Sequence, residues 1–238
     1  SFNDSDLNPN VLERFGKCTL VPGDKVYVTN KGKNIAIMVV GKKPVEEGLR
    51  VLGAHIDSPR LDVKQNPLYE DNGVAYLDTH YYGGVKKYQW VTIPLAIYGV
   101  VVKKNGESIK VVIGDDANDP VVGISDLLIH LSGDQMQKPA AKVIEGEDLD
   151  VTMGSMPLAD EEKDAVKANV MKLLKEKYNF DEEDFLSAEL EIVPAGPARD
   201  YGLDRSMVAG YGQDDKVCAY TSLNSTAKSV LKPAFLNP

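Results

Sequence analysis

The chain has 238 residues, of which 43% are hydrophobic and 26% are charged. This length allows one large domain or two of moderate size, and the composition is that of a globular protein with a sizeable core. The formal net charge of −9 argues against nucleic acid and anionic membranes as partners, because binding to either requires a basic surface.

The sequence contains two cysteines, Cys18 and Cys218. Two cysteines do not make a disulfide framework, and neither belongs to a Cys-x-x-Cys motif. No apolar run is long enough to cross a bilayer, and no signal-peptide pattern is present. These features predict a cytoplasmic location.

The first predicted elements are a β-hairpin and a buried strand. Apolar residues at 26–28 and 35–40 flank a glycine-containing turn, a pattern typical of a hairpin. Residues 50–54 are predicted to be a strand, because 51–54 form a continuously apolar run, as expected for a strand that is covered on both faces. Residues 66–73 are then predicted to be a loop and residues 75–82 a strand.

The middle of the chain is predicted to be rich in strands and to contain one clear helix. Segments 94–103 and 109–113 predict a second hairpin, and residues 124–131 predict a short helix. Apolar residues recur at helical spacing over 161–177. Residues 185–193 alternate between apolar and polar, as in a half-buried strand.

The last predicted elements are a strand at 207–210 and a helix at 216–229. The order along the chain is β-rich, then mixed, then strand–loop–helix again. It predicts an α/β fold in which a domain of residues 1–75 and 206–238 is interrupted by a β-rich insertion of residues 76–205.

Two groups of candidate metal ligands each follow a predicted strand. In His55-Ile56-Asp57, an imidazole could bind a metal through one nitrogen while the carboxylate holds the other N–H. Asp214-Asp215 supplies carboxylates, and one carboxylate can bridge two ions. Imidazole and carboxylate are suitable ligands for zinc or manganese. The two motifs are expected to lie at the same edge of a parallel sheet. The alternatives are a polar cap at a strand end for His55 and Asp57, and a solvated turn capping a helix for Asp214 and Asp215.

Several motifs together resemble the M18 family of zinc aminopeptidases. They span nearly all of residues 20–223, and the His-Ile-Asp-Ser-Pro element is fairly specific. In chain order the matching segments are Pro22-Gly23-Asp24-Lys25, Gly53-Ala54-His55-Ile56-Asp57-Ser58-Pro59, Tyr82-Gly83-Gly84 with Trp90, Ile129-His130-Leu131 and Gly212-Gln213-Asp214-Asp215.

The resemblance implies a metallopeptidase-type catalytic domain that removes N-terminal residues from peptides with metal-activated water. It implies two zinc ions, or another divalent metal such as manganese or cobalt. His55 and Asp214 would bind metal, with Asp214 bridging the two ions. Asp57 would serve catalysis by orienting His55, and Asp215 would be held beside Asp214 through a cis peptide bond without binding metal itself.

The resemblance also implies a homo-oligomer. The insertion resembles the family's assembly domain, which builds a tetrahedral dodecamer. His130 looks like the family histidine that reaches into the active site of a neighbouring subunit and contacts the substrate there. The alternative for His130 is a half-buried histidine on an amphipathic helix. His80 matches no motif and is expected to be structural or on the surface.

The sequence departs from the family in one respect. The family's remaining ligands lie downstream of the Asp-Asp element: a Glu-Glu pair, then an aspartate, then a histidine. None can be placed here, because residues 224–238 contain neither an acidic residue nor a histidine, and Glu182-Glu183 lies in the insertion. Zinc sites need three or four protein ligands. The missing ligands leave one alternative open, a non-catalytic assembly or binding fragment with an incomplete metal site. A further alternative is another dinuclear hydrolase such as a deacylase, because related folds share His-x-Asp. The matches at Tyr82-Gly83-Gly84, Trp90 and Ile129-His130-Leu131 count against it.

Overall fold

The computed structural model describes residues 20–228. None of the helices within this range is long and apolar enough to cross a membrane. The strands are β1 (Lys25–Asn30), β2 (Asn34–Val39), β3 (Arg60–Asp71), β4 (Val74–Tyr82), β5 (Leu95–Val102), β6 (Ser108–Ile113), β7 (Val151–Gly154), β8 (Ala188–Pro194), β9 (Arg199–Tyr201) and β10 (Met207–Ala209), and the helices are α1 (Ala165–Tyr178) and α2 (Gln213–Lys228).

The chain forms two compact units. Of the described residues, the first contains 20–57 together with 213–228, and the second contains Ser58–Gly212. The second unit therefore begins earlier and ends later than the insertion of residues 76–205 that the sequence predicts. The reason is strand pairing: β3 pairs with β4 from Arg60 to Asp71, and β10 pairs with β9.

The first unit contains a two-stranded hairpin and helix α2. Strands β1 and β2 are antiparallel, with Lys25 opposite Val39 and Asn30 opposite Asn34, so the predicted hairpin is confirmed. Its turn uses Gly32 at a φ of 67°, a conformation that glycine adopts without steric cost. Helix α2 confirms the helix predicted at 216–229 as far as the described residues extend.

The predicted strand at residues 50–54 is wrong. Val51 and Leu52 are 82% and 58% exposed, and no strand among the described residues pairs with this segment. An apolar run becomes a strand where neighbouring strands pair with its backbone and other elements cover its side chains. The expected edge of a parallel sheet is also wrong for residues 20–228, because all strand pairs in this range are antiparallel.

The second unit is built on a six-stranded antiparallel sheet in the order β6-β5-β8-β3-β4-β7. The hairpin predicted for 94–103 and 109–113 is confirmed as β5 and β6, and the strand predicted for 75–82 is confirmed as β4. Strand β8 starts at Ala188, later than predicted. The preceding residues form a 3-10 turn in which Asp181 and Asp184 cap each other's backbone.

Residues 66–73 are not the predicted loop, because β3 continues through them to Asp71. The pairing of β3 with β4 shifts register between Val63 and Leu68. Pro67 lies within this irregularity, where a missing backbone N–H is tolerated. A proline therefore marks a bulge here and not the end of a strand.

The predicted helix at 124–131 is also wrong. The segment is irregular and ends in a turn at residues 129–131. Leu127, Leu128 and Ile129 are 54–68% exposed. A two-turn helix is marginal unless its apolar face packs on a core, and these side chains do not pack within the unit.

The hydrophobic core lies between the sheet and α1. The helix predicted at 161–177 is confirmed but begins later, at Ala165. It buries Val166, Val170 and Leu174, which follow each other at intervals of four residues along one face. Its first turn is capped by β3, since the backbone N–H groups of Val166 and Lys167 donate to Glu70 Oε2 at 2.9 and 3.0 Å. The largest fully buried apolar side chains of this core are Leu61, Leu77, Leu95, Ile97, Val101, Val111, Leu149, Val151, Phe180, Phe185 and Ile192.

Candidate metal centre

His55 lies on the irregular segment that replaces the predicted strand, and both of its ring nitrogens face acidic residues. The Nδ1 atom is 3.1 Å from the backbone carbonyl oxygen of Asp57 and 3.2 Å from Asp57 Oδ1. Both partners are acceptors, so Nδ1 carries the proton and donates a hydrogen bond to Asp57. The lone pair of the neutral ring is then on Nε2, the atom that faces Asp214 and Asp215.

Asp214 and Asp215 stand at the first turn of α2. Their backbone is not helical, with φ and ψ of −89° and 116° at Asp214 and −114° and 28° at Asp215. The peptide bond between them is cis, as the family resemblance implied. The Asp214 side chain is largely exposed, whereas the Asp215 side chain is only 15% exposed.

The three side chains present one ligand atom each within a small volume. His55 Nε2 is 3.8 Å from Asp214 Oδ1 and 3.6 Å from Asp215 Oδ2, and all three atoms lie within 4.8 Å of one another. Donors on one tetrahedral zinc ion are about 3.3 Å apart. The donor set and spacing therefore fit a zinc ion. The Asp215 carboxylate lies as close to His55 as the Asp214 carboxylate does.

The acidic surroundings affect the protonation of His55. Desolvation lowers the pKa of His55, but the Asp57 carbonyl and the carboxylates of Asp215 and Asp57 together outweigh it and raise the pKa above its usual value. A bound cation would reverse this balance, because it would neutralise the same carboxylates and compete with the proton for Nε2.

His130 does not belong to the same unit as these residues. His130 lies in the second unit, on the exposed turn at 129–131. Sequence analysis also missed a neighbour of the centre, the thiol of Cys218. A hydrogen bond to Asp215 and, to a smaller extent, desolvation raise the pKa of this thiol. Its position three residues after Asp215 on a helix could have indicated the contact.

A neutral imidazole oriented by one carboxylate and facing two others is a donor set typical of divalent-metal sites. The fold and the centre thus define an α/β protein with a candidate metal site. The profile of the family "Aminopeptidase I zinc metalloprotease (M18)" matches residues 5–235. The chain belongs to the M18 peptidase family.

Relatives within the family are similar over most of this chain. It is 64% identical over 208 residues to a probable M18 family aminopeptidase 1 of Clostridium acetobutylicum, a match that covers 87% of this chain and 45% of the relative. The chain thus spans about half the length of the curated relatives it matches.

Solved structures of family members share the fold. The crystal structure of aminopeptidase I from Clostridium acetobutylicum has a TM-score of 0.82 at 62% identity, covering 88% of this chain and 46% of that one. An M18 aminopeptidase from Thermotoga maritima has a TM-score of 0.83 at 46% identity, covering 92% and 49%. A yeast protein described as the mApe1 dodecamer shares the fold at 18% identity and a TM-score of 0.62, covering 89% and 46%. These likenesses confirm the α/β fold class.

Proposed function

We propose that the full-length protein is a zinc-dependent aminopeptidase that removes N-terminal residues from peptides. The observation that supports this most strongly is the orientation of His55. Its Nδ1 atom is held by Asp57, and its Nε2 atom faces the carboxylates of Asp214 and Asp215 at 3.8 and 3.6 Å. Membership of a family of zinc metalloproteases supports the same function.

Each side chain of the centre has a separate role in this proposal. Asp57 keeps the proton on Nδ1 and so keeps the lone pair of His55 on Nε2. Asp214 would hold metal, and Asp215 lies next to it through the cis peptide bond. When bound, zinc supplies Lewis-acid activation of a water molecule and polarisation of a carbonyl group.

The described residues contribute three candidate ligand atoms, which is fewer than two zinc ions require. We propose that other parts of the full-length protein supply the remaining donors. The chain matches about half the length of its curated relatives, which is consistent with a site that is only partly encoded here.

The experiment that tests this function is the substitution His55→Ala in the full-length protein. Hydrolysis of aminoacyl substrates should be abolished, because the centre loses its only imidazole among the described residues. His80→Ala is the matched control, since His80 stacks on Tyr81 in the second unit and is not a member of the centre. Undiminished turnover in His55→Ala would refute the assignment.

We propose further that the insertion predicted at 76–205 is an assembly domain and that the protein forms a homo-oligomer, a tetrahedral dodecamer by family resemblance. An apolar surface supports this: Leu127, Leu128, Ile129 and Leu131 are all 54–69% exposed. Apolar patches of this kind on a folded unit are typical of interfaces. His130 lies within the patch, where it could reach a neighbouring subunit. Deletion of residues 80–200 should abolish the large assembly, and a dodecamer that survived would contradict the assembly role.

A second candidate function is a non-catalytic assembly or binding module. The exposure of Val51, Leu52 and Ile56 beside the candidate ligands favours it for this chain alone, because a catalytic zinc site needs a shaped and water-poor surrounding. Zinc bound at about two ions per chain would exclude this alternative. We propose a cytoplasmic location for either function.

A further inference from the structure

The second unit begins and ends at two segments that are hydrogen-bonded to each other. The phenol of Tyr211 donates to the backbone carbonyl oxygen of Pro59 over 2.6 Å, although the residues are 152 positions apart. The Ser58 side chain, which is buried, hydrogen-bonds to the same phenol. Both partners belong to the second unit, which contains Ser58–Gly212, so a single hydroxyl joins its first residues to its last.

Pro59 also lies beside the Tyr82-Gly83-Gly84 motif. Gly83 has a φ of 79°, and a Cβ atom at this position would lie 3.4 Å from Pro59 Cα, an ordinary van der Waals distance. The motif, which the metal centre does not use, is therefore a neighbour of the first residues of the second unit.

The next residue, Arg60, is held by two carboxylates and an aromatic ring. Its Nε atom is 2.7 Å from Asp62 Oδ1 and 3.2 Å from Glu191 Oε1. Its guanidinium lies 4.1 Å from the centroid of the Tyr82 ring, a distance suited to a cation–π interaction. Strands β3, β4 and β8 thus fix the start of the second unit, and Tyr211 is bonded to that fixed point.

The two joined segments lead directly to the candidate ligands. Pro59 follows His55 by four residues, and Tyr211 precedes Asp214 by three. Three or four residues span at most about 11 to 14 Å. A bond between Pro59 and Tyr211 therefore limits how far the segment with His55 and Asp57 can move from the segment with Asp214 and Asp215.

We propose that Tyr211 is a positioning residue of the metal centre: its hydroxyl ties together the two chain segments from which His55 and Asp214 extend. This inference rests on the proposed function, because it assigns Tyr211 to the same centre. The residue touches neither metal nor substrate and acts through Pro59.

The test is the substitution Tyr211→Phe in the full-length protein, which removes one oxygen atom and keeps the ring. Zinc affinity, measured by competition with a chromogenic chelator, should fall roughly fivefold, the effect of losing one hydrogen bond. Tyr201→Phe is the matched control, because Tyr201 is also an exposed tyrosine of the second unit and its hydroxyl has no hydrogen bond with a described residue. Affinity in the control should stay within about twofold of wild type. Unchanged affinity in Tyr211→Phe would overturn the inference.

A second measurement does not depend on zinc binding. Crystal structures of metal-free wild type and Tyr211→Phe should differ in the distance from His55 Nε2 to Asp215 Oδ2, which is 3.6 Å here, or in the relative mobility of the two ligand segments. If wild type binds no zinc, the proposed function fails, and this comparison alone decides the role of Tyr211. Identical distances and mobilities would then overturn it.

Discussion

The imidazole of His55 contacts Asp57 through the atoms Nδ1 and Oδ1, which are 3.2 Å apart. This contact leaves Nε2 facing the two carboxylates at the start of α2. We expect Asp57→Ala to weaken zinc binding by roughly 10–100-fold, as is usual when a partner that orients a metal-binding histidine is removed. Isothermal titration of zinc into metal-free protein measures this effect.

The conservative variant Asp57→Asn separates orientation from charge. The side-chain oxygen of asparagine can still accept a hydrogen bond from Nδ1–H of His55. The zinc affinity of this variant should therefore lie between those of wild type and Asp57→Ala. Equal affinities for all three proteins would show that Asp57 does not orient the histidine.

Glu70 should contribute to stability by capping α1. Its carboxylate accepts hydrogen bonds from the N–H groups of Val166 and Lys167, which have no partner within the helix. Glu70→Ala should lower the free energy of unfolding by roughly 1 kcal/mol, measured by urea denaturation. Glu176→Ala on the same helix is the control, since its exposed ion pair with Lys172 should contribute less than about 0.5 kcal/mol. A loss in the control as large as that in Glu70→Ala would argue against the cap.

Gly99 should be required for the pairing of β5 with β8. A Cβ atom at this position would lie 1.9 Å from the backbone carbonyl oxygen of Glu189, so the two strands would have to separate. Gly99→Ala should destabilise the protein by roughly 2–3 kcal/mol, seen as a lower midpoint of thermal unfolding. Gly133→Ala introduces the same methyl group where nothing lies within 4 Å and should be nearly neutral. Wild-type stability of Gly99→Ala would mean that the strands are not in such close contact.

Asp150 should make stability depend on pH in the acidic range. Desolvation raises the pKa of Asp150 above its ordinary 3.8, although the hydrogen bond from Tyr69 opposes this. The folded state therefore binds the proton more tightly than the unfolded state does. Relative to Asp150→Asn, wild type should lose stability as pH rises from 3.8 through the raised pKa. Denaturation curves across this range measure the difference, and a difference that is constant with pH would contradict the shift.

Local patterns in the sequence were sufficient for the elements that short-range interactions specify. The hairpin of β1 and β2 forms around a glycine turn, and α1 follows the four-residue spacing of Val166, Val170 and Leu174. Two of the failures share one cause. Hydrophobicity predicted burial for 50–54 and 124–131, but residues 50–54 and 125–131 are exposed within residues 20–228, because pattern alone does not indicate what covers an apolar run.

The candidate site was predictable only in part. His55 and Asp57 are two residues apart, so their contact follows from local spacing. Asp214 is 159 residues beyond His55. It was paired with His55 through family resemblance and through a parallel-sheet edge that residues 20–228 do not form. The hydrogen bond from Tyr211 to Pro59 has no local signature, since it depends on where the second unit begins and ends.

The most direct test of the metal centre is the zinc affinity of the full-length protein and of two single variants. We expect wild type to retain about two zinc ions per chain after mild dialysis. We expect His55→Ala to bind at least about 100-fold more weakly, because a ligand is lost. His80→Ala should match wild type, since His80 stacks on Tyr81 and is not among the three ligand residues. Zinc binding that is equally tight in His55→Ala and wild type would contradict the assignment of His55, Asp214 and Asp215 as the metal centre.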